Sequence, residues 1–229
     1  MAVSAGKIVW DESGKKYFET GVRNCVLYTL QDDGGTDKWL GVAWNGITSI
    51  SESPEGADLT DLYADDIKYA SLRANETFGG TIEAYTYPDE FALCDGTASP
   101  VNGVYLGQQG RKKFALCYRT AVGSDTLDDL DSAYKLHIIY GCSASPSEKS
   151  YETINDSPDA ITFSWEFSSD PVNCAGYRPV SSIVIDSRTA TAGNLTTLEN
   201  LLYGTNATKP ELPMPNTVIT TMGGSVSVG

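Results

Sequence analysis

Hydrophobic and polar positions alternate through most of this chain, and the period is two. The sharpest case is 160–168, where Ile161, Phe163, Trp165 and Phe167 fall on one side and Thr162, Ser164, Glu166 and Ser168 on the other. A strand with four large apolar side chains on one face must pack on a second sheet or a helix. Shorter alternations predict strands over 24–31, 39–50, 112–120, 133–141 and 182–187, the first two joined by a turn at Asp32-Asp33-Gly34-Gly35. Strand-like runs at 67–74 and 77–87, linked by Asn75-Glu76, predict a hairpin. In the second run Ile82 and Ala84 oppose Thr81, Glu83 and Tyr85.

Two stretches carry a helical spacing instead. Over 193–204, Leu195, Leu198, Leu201 and Leu202 recur every three to four residues, with Thr191 or Asn194 able to cap the start and Gly204 to end it. Residues 87–96, with Pro88 ahead of Asp89-Glu90 and Gly96 behind, predict a shorter helix. Residues 99–110, 124–131 and 143–150 read as loops. The first 23 residues lack periodicity and form an N-terminal arm. The last stretch, 208–229, with Pro210, Pro213 and Pro215 before a β-prone VITTM, reads as a C-terminal arm, either extending another subunit's sheet edge or free. Between the arms, 24–207 forms one domain.

The longest interruption of the pattern is 50–66. It holds Pro54, Gly56 and six carboxylates (Glu52, Glu55, Asp58, Asp61, Asp65, Asp66), with no cation before Lys68. Loops beyond about 12–15 residues are uncommon in compact domains and are either functional or disordered. Gly, Pro and carboxylates form no core of their own, so the loop lies on a partner subunit or runs free.

Composition narrows the classes. A chain of 229 residues can bury a full core, and its 13 Tyr and 4 Trp favour β structure. The fold expected is mainly β, a sandwich or partial barrel with one or two short helices. No apolar run is long enough to span a membrane as a helix, and the first residues show no secretory signal, so the chain is expected to stay in the compartment where it is made. Net charge is −14, from 30 acids and 16 bases, which argues against holding nucleic acid through phosphate contacts. The one dense basic run, Arg111-Lys112-Lys113, reads as a charged strand edge.

Candidate chemistry is sparse. Five cysteines (Cys25, Cys94, Cys117, Cys142, Cys174) are widely spaced and odd in number, and His137 is the single histidine. That pattern suits reduced, buried thiols rather than a zinc site or a disulfide framework. The acidic run at 124–131 could hold calcium, but it lacks the central Gly and the bidentate Glu of an EF-hand, so a solvated turn is favoured. Neighbouring carboxylates such as Asp65-Asp66 would point to opposite faces of a strand and do not make a glycosidase pair. No catalytic residue, cofactor or metal is expected.

One resemblance emerges from the interrupted stretch. Ser51-Glu52-Ser53-Pro54-Glu55-Gly56, followed by Leu62-Tyr63-Ala64-Asp65-Asp66 and Lys68-Tyr69, resembles the signature of the major tail (tail tube) proteins of long, flexible-tailed bacteriophages. The resemblance covers about residues 20–205. It implies a β-sandwich whose inner sheet joins those of neighbouring subunits in a hexameric ring, and rings stacked into an electronegative conduit for DNA ejection. It also implies tape-measure and tail tip or terminator proteins as partners, with DNA passing through unbound, and placement in the virion tail after assembly in the host cytoplasm. Glu52, Pro54, Glu55, Gly56, Asp58, Tyr63, Asp65 and Asp66 would then belong to a subunit interface, and Glu83 would face the lumen. A net-negative wall would repel the duplex rather than stall it. The alternative is a non-enzymatic secreted or surface β-sandwich that binds carbohydrate or protein.

Overall fold

The computed structural model of the chain describes residues 8, 10–126, 133–151, 153 and 160–226. The acidic turn expected at 124–131 lies largely outside them. Strands dominate, in the order β1 (Tyr17–Asp32), β2 (Asp37–Ala43), β3 (Ile47–Gly56), β4 (Leu59–Ala64), β5 (Ile67–Arg73) and β6 (Glu76–Ala84). A 3-10 turn at Asp89–Leu93 leads to β7 (Ala98–Val101), β8 (Val104–Leu106), β9 (Phe114–Ser124), β10 (Tyr134–Ala144), β11 (Phe163–Ser169) and β12 (Ser182–Asp186). Two helices close the chain, α1 (Ala192–Tyr203) and α2 (Pro215–Thr221). The chain is mainly β, and its layering is consistent with a β-sandwich.

The main sheet runs β2-β1-β9-β10-β11-β6-β3, with β12 also paired to β10. Strand β10 is its corner. Residues 135–139 pair with β12, the register then slips, and Cys142–Ala144 pair with β11. Gly141 sits at the slip with φ 62°, and a Cβ there would lie 2.2 Å from the Asp170 carbonyl oxygen. Only glycine can turn this corner.

Folding at the corner brings β11-β6-β3 over β1-β9-β10 and encloses an apolar layer. Trp44, Phe91, Phe114, Trp165 and Phe167 fill it with Cys25, Leu27, Leu116 and Ile82. Their rings meet mostly edge to face, Phe91 and Trp165 at 5.2 Å, Phe91 and Phe114 at 5.4 Å, which aromatic quadrupoles favour. Trp165 Nε1 is buried without an acceptor, among the rings of Trp44, Tyr87, Phe91 and Phe163.

The opposite face of β1-β9-β10 is buried as well. Tyr28, Cys117, Leu136, Ile138 and Tyr140 pack under Leu195, Leu198 and Leu202 of α1 and Val218 of α2. Burial on both faces explains the continuous apolar run in β9, Phe114-Ala115-Leu116-Cys117-Tyr118. Polar tips fasten the helices. The Tyr28 hydroxyl donates to the Leu202 carbonyl at 2.7 Å, and the Arg119 guanidinium lies between the Tyr134 and Tyr203 rings while donating to Glu199.

Several expected elements differ. Residues 39–50 are not one strand but two, broken at Trp44-Asn45-Gly46, where the Trp44 N–H returns to the Cys25 carbonyl. The N-terminal arm ends at Tyr17, because 17–23 already pair with β9. The described part of the C-terminal arm, 208–226, folds back onto its own chain. Pro210–Leu212 bonds the free edge of β2 through Gly41 N–H to the Pro210 carbonyl and Leu212 N–H to the Trp39 carbonyl. Pro215 at the first helical position then fixes the start of α2, and packing against the sheet overrides the strand preference of Val218, Ile219 and Thr220. Helix α1 starts without a side-chain cap, although Thr191 sits at the capping position, and the short helix expected at 87–96 is only the 3-10 turn.

All five cysteines are buried and unpaired. Burial pushes the Cys94 and Cys117 thiols up to about 12, so neither is a thiolate at neutral pH. Native protein should therefore react slowly with a thiol reagent at all five positions and rapidly once unfolded. Gly141→Ala should cost more than about 2 kcal/mol, from its left-handed φ and the clash with Asp170, and a urea titration would read it.

Candidate functional site

The acidic stretch 50–66 is not a loop. Strand β3 continues through Pro54 to Gly56, paired with β6 from Ile47↔Ala84 to Gly56↔Glu76. Pro54 lacks an N–H and is tolerated because β3 is the edge of the sheet. The predicted pairing of 67–74 with 77–87 also gives way. Strand β5 pairs with β4, and β6 with β3, so residues 47–84 form one long hairpin. Its tip is Asp65-Asp66, both with positive φ (53° and 60°), closing Ala64 on Ile67 in a two-residue turn.

The hairpin has two halves with different surroundings. Its base, β3 and β6, lies on the core. At Gly56-Ala57, both at positive φ, it bends away, and the Asp58 carbonyl accepts the Ala74 N–H at the start of the outer half. A Cβ on Gly56 would stand 2.7 Å from the Asn75 carbonyl. Beyond the bend, β4 and β5 form a separate two-stranded ribbon. Six residues of strand project about 20 Å. Nearly every side chain is open to solvent, including Tyr63 at 70%, Tyr69 at 76% and Ile67 at 66% exposed, with Leu59, Leu62 and Leu72 beside them. Among the described residues the ribbon's one ion pair joins Lys68 to Asp61, at 2.8 Å. Among the described residues Asp58, Asp65 and Asp66 make no ion pair.

The base presents a second surface. Ile82, Ala84, Trp165 and Phe167 point into the core, so the alternate positions of β6 and β11 point out, with those of β3 beside them in register. The rows read Ser49–Glu83–Ser164, Ser51–Thr81–Glu166 and Ser53–Gly79–Ser168, and Glu55 faces Thr77. Every outward position is a hydroxyl, a glycine or a glutamate, and none is Lys or Arg. Glu83 lies in the first row, half-buried, accepting from the Ser49 hydroxyl at 2.9 Å. Unlike β2, the β3 edge has no partner strand among the described residues.

Glu52 departs from its neighbours. It points inward, where its carboxylate accepts the Tyr118 hydroxyl. His137 stacks on Tyr118 with centroids 4.7 Å apart, and its Nε2 lies 3.1 Å from the Thr120 hydroxyl. His137 Nδ1 sits 3.4 Å from Glu52, out of line for a hydrogen bond, and has no other partner. These groups line a cleft of about 400 Å³ with Gly21, Val22 and Ile50. The order hydroxyl, imidazole, carboxylate is that of a nucleophile relay. The relay is not assembled, however, because His137 Nδ1 stands out of line with Glu52, whose facing oxygen accepts the Tyr118 hydroxyl instead. The arrangement acts as a clasp between the two layers, and the sequence pointed to it only by placing His137 opposite Leu136 and Ile138.

Among the described residues, no group of three or more His, Cys, Asp or Glu gathers to hold a metal ion, and no helix is long and apolar enough to cross a membrane. Neither a family model nor a curated protein matches the chain.

The imidazole beside Glu52 does most to hold its carboxyl below the ordinary range; burial opposes this and the Tyr118 hydroxyl adds to it. A carboxyl with a lowered folded pKa stabilises the fold above its unfolded value of about 4.3 and loses that contribution as pH falls through the folded value. Wild type should therefore lose more stability than Glu52→Gln on acidification from pH 5 through that window, measured by urea midpoints. Equal losses would show that the clasp contributes nothing.

Proposed function

We propose that this protein is a structural, non-enzymatic subunit that assembles with copies of itself into stacked rings, a tail tube of the kind built by long, flexible-tailed bacteriophages. The observation that carries this reading is the β4–β5 ribbon. An isolated two-stranded hairpin is at best marginally stable in water, and this one exposes Tyr63, Ile67, Tyr69 and three leucines on a projection with no core of its own. It is explained if a neighbouring copy covers it.

The open β3 edge supports the same reading. A long unpaired edge invites pairing with another chain, and joining sheets around a closed ring removes the hazard. The outward face of β3-β6-β11 would then line the lumen, with Glu55, Glu83 and Glu166 as its charges. DNA carries one charge per about 1.7 Å of axis, and a surface of hydroxyls and carboxylates offers it no cation to bind. At physiological salt the repulsion reaches about 8 Å, so it acts on duplex close to the wall. The tape-measure and tail tip or terminator proteins are the further partners of this reading, and the virion tail its location.

Negative-stain microscopy of concentrated protein tests it: rings or tubes of uniform diameter are expected. Replacing 59–73 by a two-residue turn should leave a folded subunit, with its melting transition intact, that forms none. Wild-type protein that stays monomeric at all concentrations, or tubes of normal form from the shortened variant, would contradict the proposal. Ser51→Lys with Thr81→Lys should convert tubes that do not retain duplex DNA into tubes that do.

A further inference from the structure

We propose that the ribbon of one copy lands on the β7–β8 hairpin of the next, the contact being led by charge. The inference rests on the assembly reading above and names the surface that reading leaves open.

Residues 99–110, expected as a loop, contain the second exposed hairpin of the molecule. Ala98↔Leu106 and Val101↔Val104 pair as a small separate sheet. Val101, Val104, Tyr105 and Leu106 are all exposed, a second apolar surface that none of the described residues covers. Two uncovered apolar hairpins on one chain are a natural pair if they meet between copies. Because the two surfaces differ, such a contact is heterologous and propagates instead of closing as a dimer.

Charge selects between the possible landing sites. The chain carries −14, so two copies repel unless they meet where the sign locally reverses. From Gly96 to Ser124 there is no carboxylate, the longest such stretch in the sequence, while Arg111, Lys112, Lys113 and Arg119 add four cations. Arg111 and Lys113 are engaged with Asp95 and Asp170, and Arg119 with Glu199. Lys112, exposed at the base of the β7–β8 excursion, has no carboxylate partner among the described residues. Across the contact stand Asp58, Asp65 and Asp66, the ribbon's unpaired acids. A rival basic spot, Arg178, lies in a groove beside Glu76 and lacks a comparable apolar surface, so it offers a mixed field.

The native cysteines are buried, which permits a direct test. Tyr63→Cys and Tyr105→Cys proteins, each checked for an unchanged melt, are mixed under assembling conditions and oxidised mildly. A disulfide-linked pair containing one of each variant is expected, and only in the assembled fraction. Lys112→Glu should raise the concentration needed for assembly by about tenfold, and adding Asp66→Lys to it should restore wild-type behaviour, whereas Arg178→Glu alone should change nothing. If wild type assembles but the mixed pair does not cross-link and Lys112→Glu assembles normally, this landing site is overturned while the assembly reading stands. If wild type never assembles, both fall together.

Discussion

A β-ribbon of two strands in water has backbone hydrogen bonds but no core, and the assembly proposed for this protein depends on that shortage. Residues 59–73 bury almost nothing, yet they carry some of the most exposed large apolar side chains of the chain. Burying an aromatic or leucine side chain is worth about 1.5–3 kcal/mol, a stabilisation that the described residues of the chain do not supply to the ribbon. The rest of the fold spends its apolar residues differently. The layer of β1, β9 and β10 is covered on both sides, by the second layer and by the helices, and is self-sufficient.

This division gives the molecule a finished side and an unfinished side. On the finished side the C-terminal segment covers the β2 edge, and α1 and α2 cover the sheet face. On the unfinished side the β3 edge is open, the outward face of β3-β6-β11 carries hydroxyls and carboxylates, and the ribbon leaves the body at Gly56. The clasp of Glu52 with Tyr118 and His137 stands where the two sides meet. It fixes β3 against β9 and β10 just before the bend and so sets where the ribbon departs. The ribbon tip and the outward face of β3-β6-β11 also carry carboxylates, and a net negative charge disfavours indiscriminate association through exposed apolar surface.

The parts legible in the sequence are those whose packing is local. Phe163, Trp165 and Phe167 announce their strand because alternate positions face one core, and the leucines at 195, 198 and 202 announce α1 in the same way. Residues 51–56 gave no such signal. Their outward face is serine and glutamate, and the inward one holds Glu52, so an edge strand looked like a loop. The pairing of the four runs from 47 to 84 depends on where the chain reverses, and Asp65-Asp66, acidic in composition, is the turn. Ser-Pro-Glu-Gly lies in the stretch expected at an interface, and only geometry separates its members: Glu52 faces inward, Glu55 outward, Gly56 makes the bend, and Tyr63 stands on the ribbon. Residues 215–221 misled through their β-branched composition, since a helix there depends on contacts with a sheet distant in sequence.

Hydrogen exchange of residues 59–73 as a function of protein concentration tests the central claim most directly. Fast exchange is expected in dilute, monomeric protein, with protection that grows in step with assembly, while amides of β9 and β10 stay protected throughout. Ribbon amides that are already slow in the dilute monomer, or that stay fast at every concentration, would contradict it.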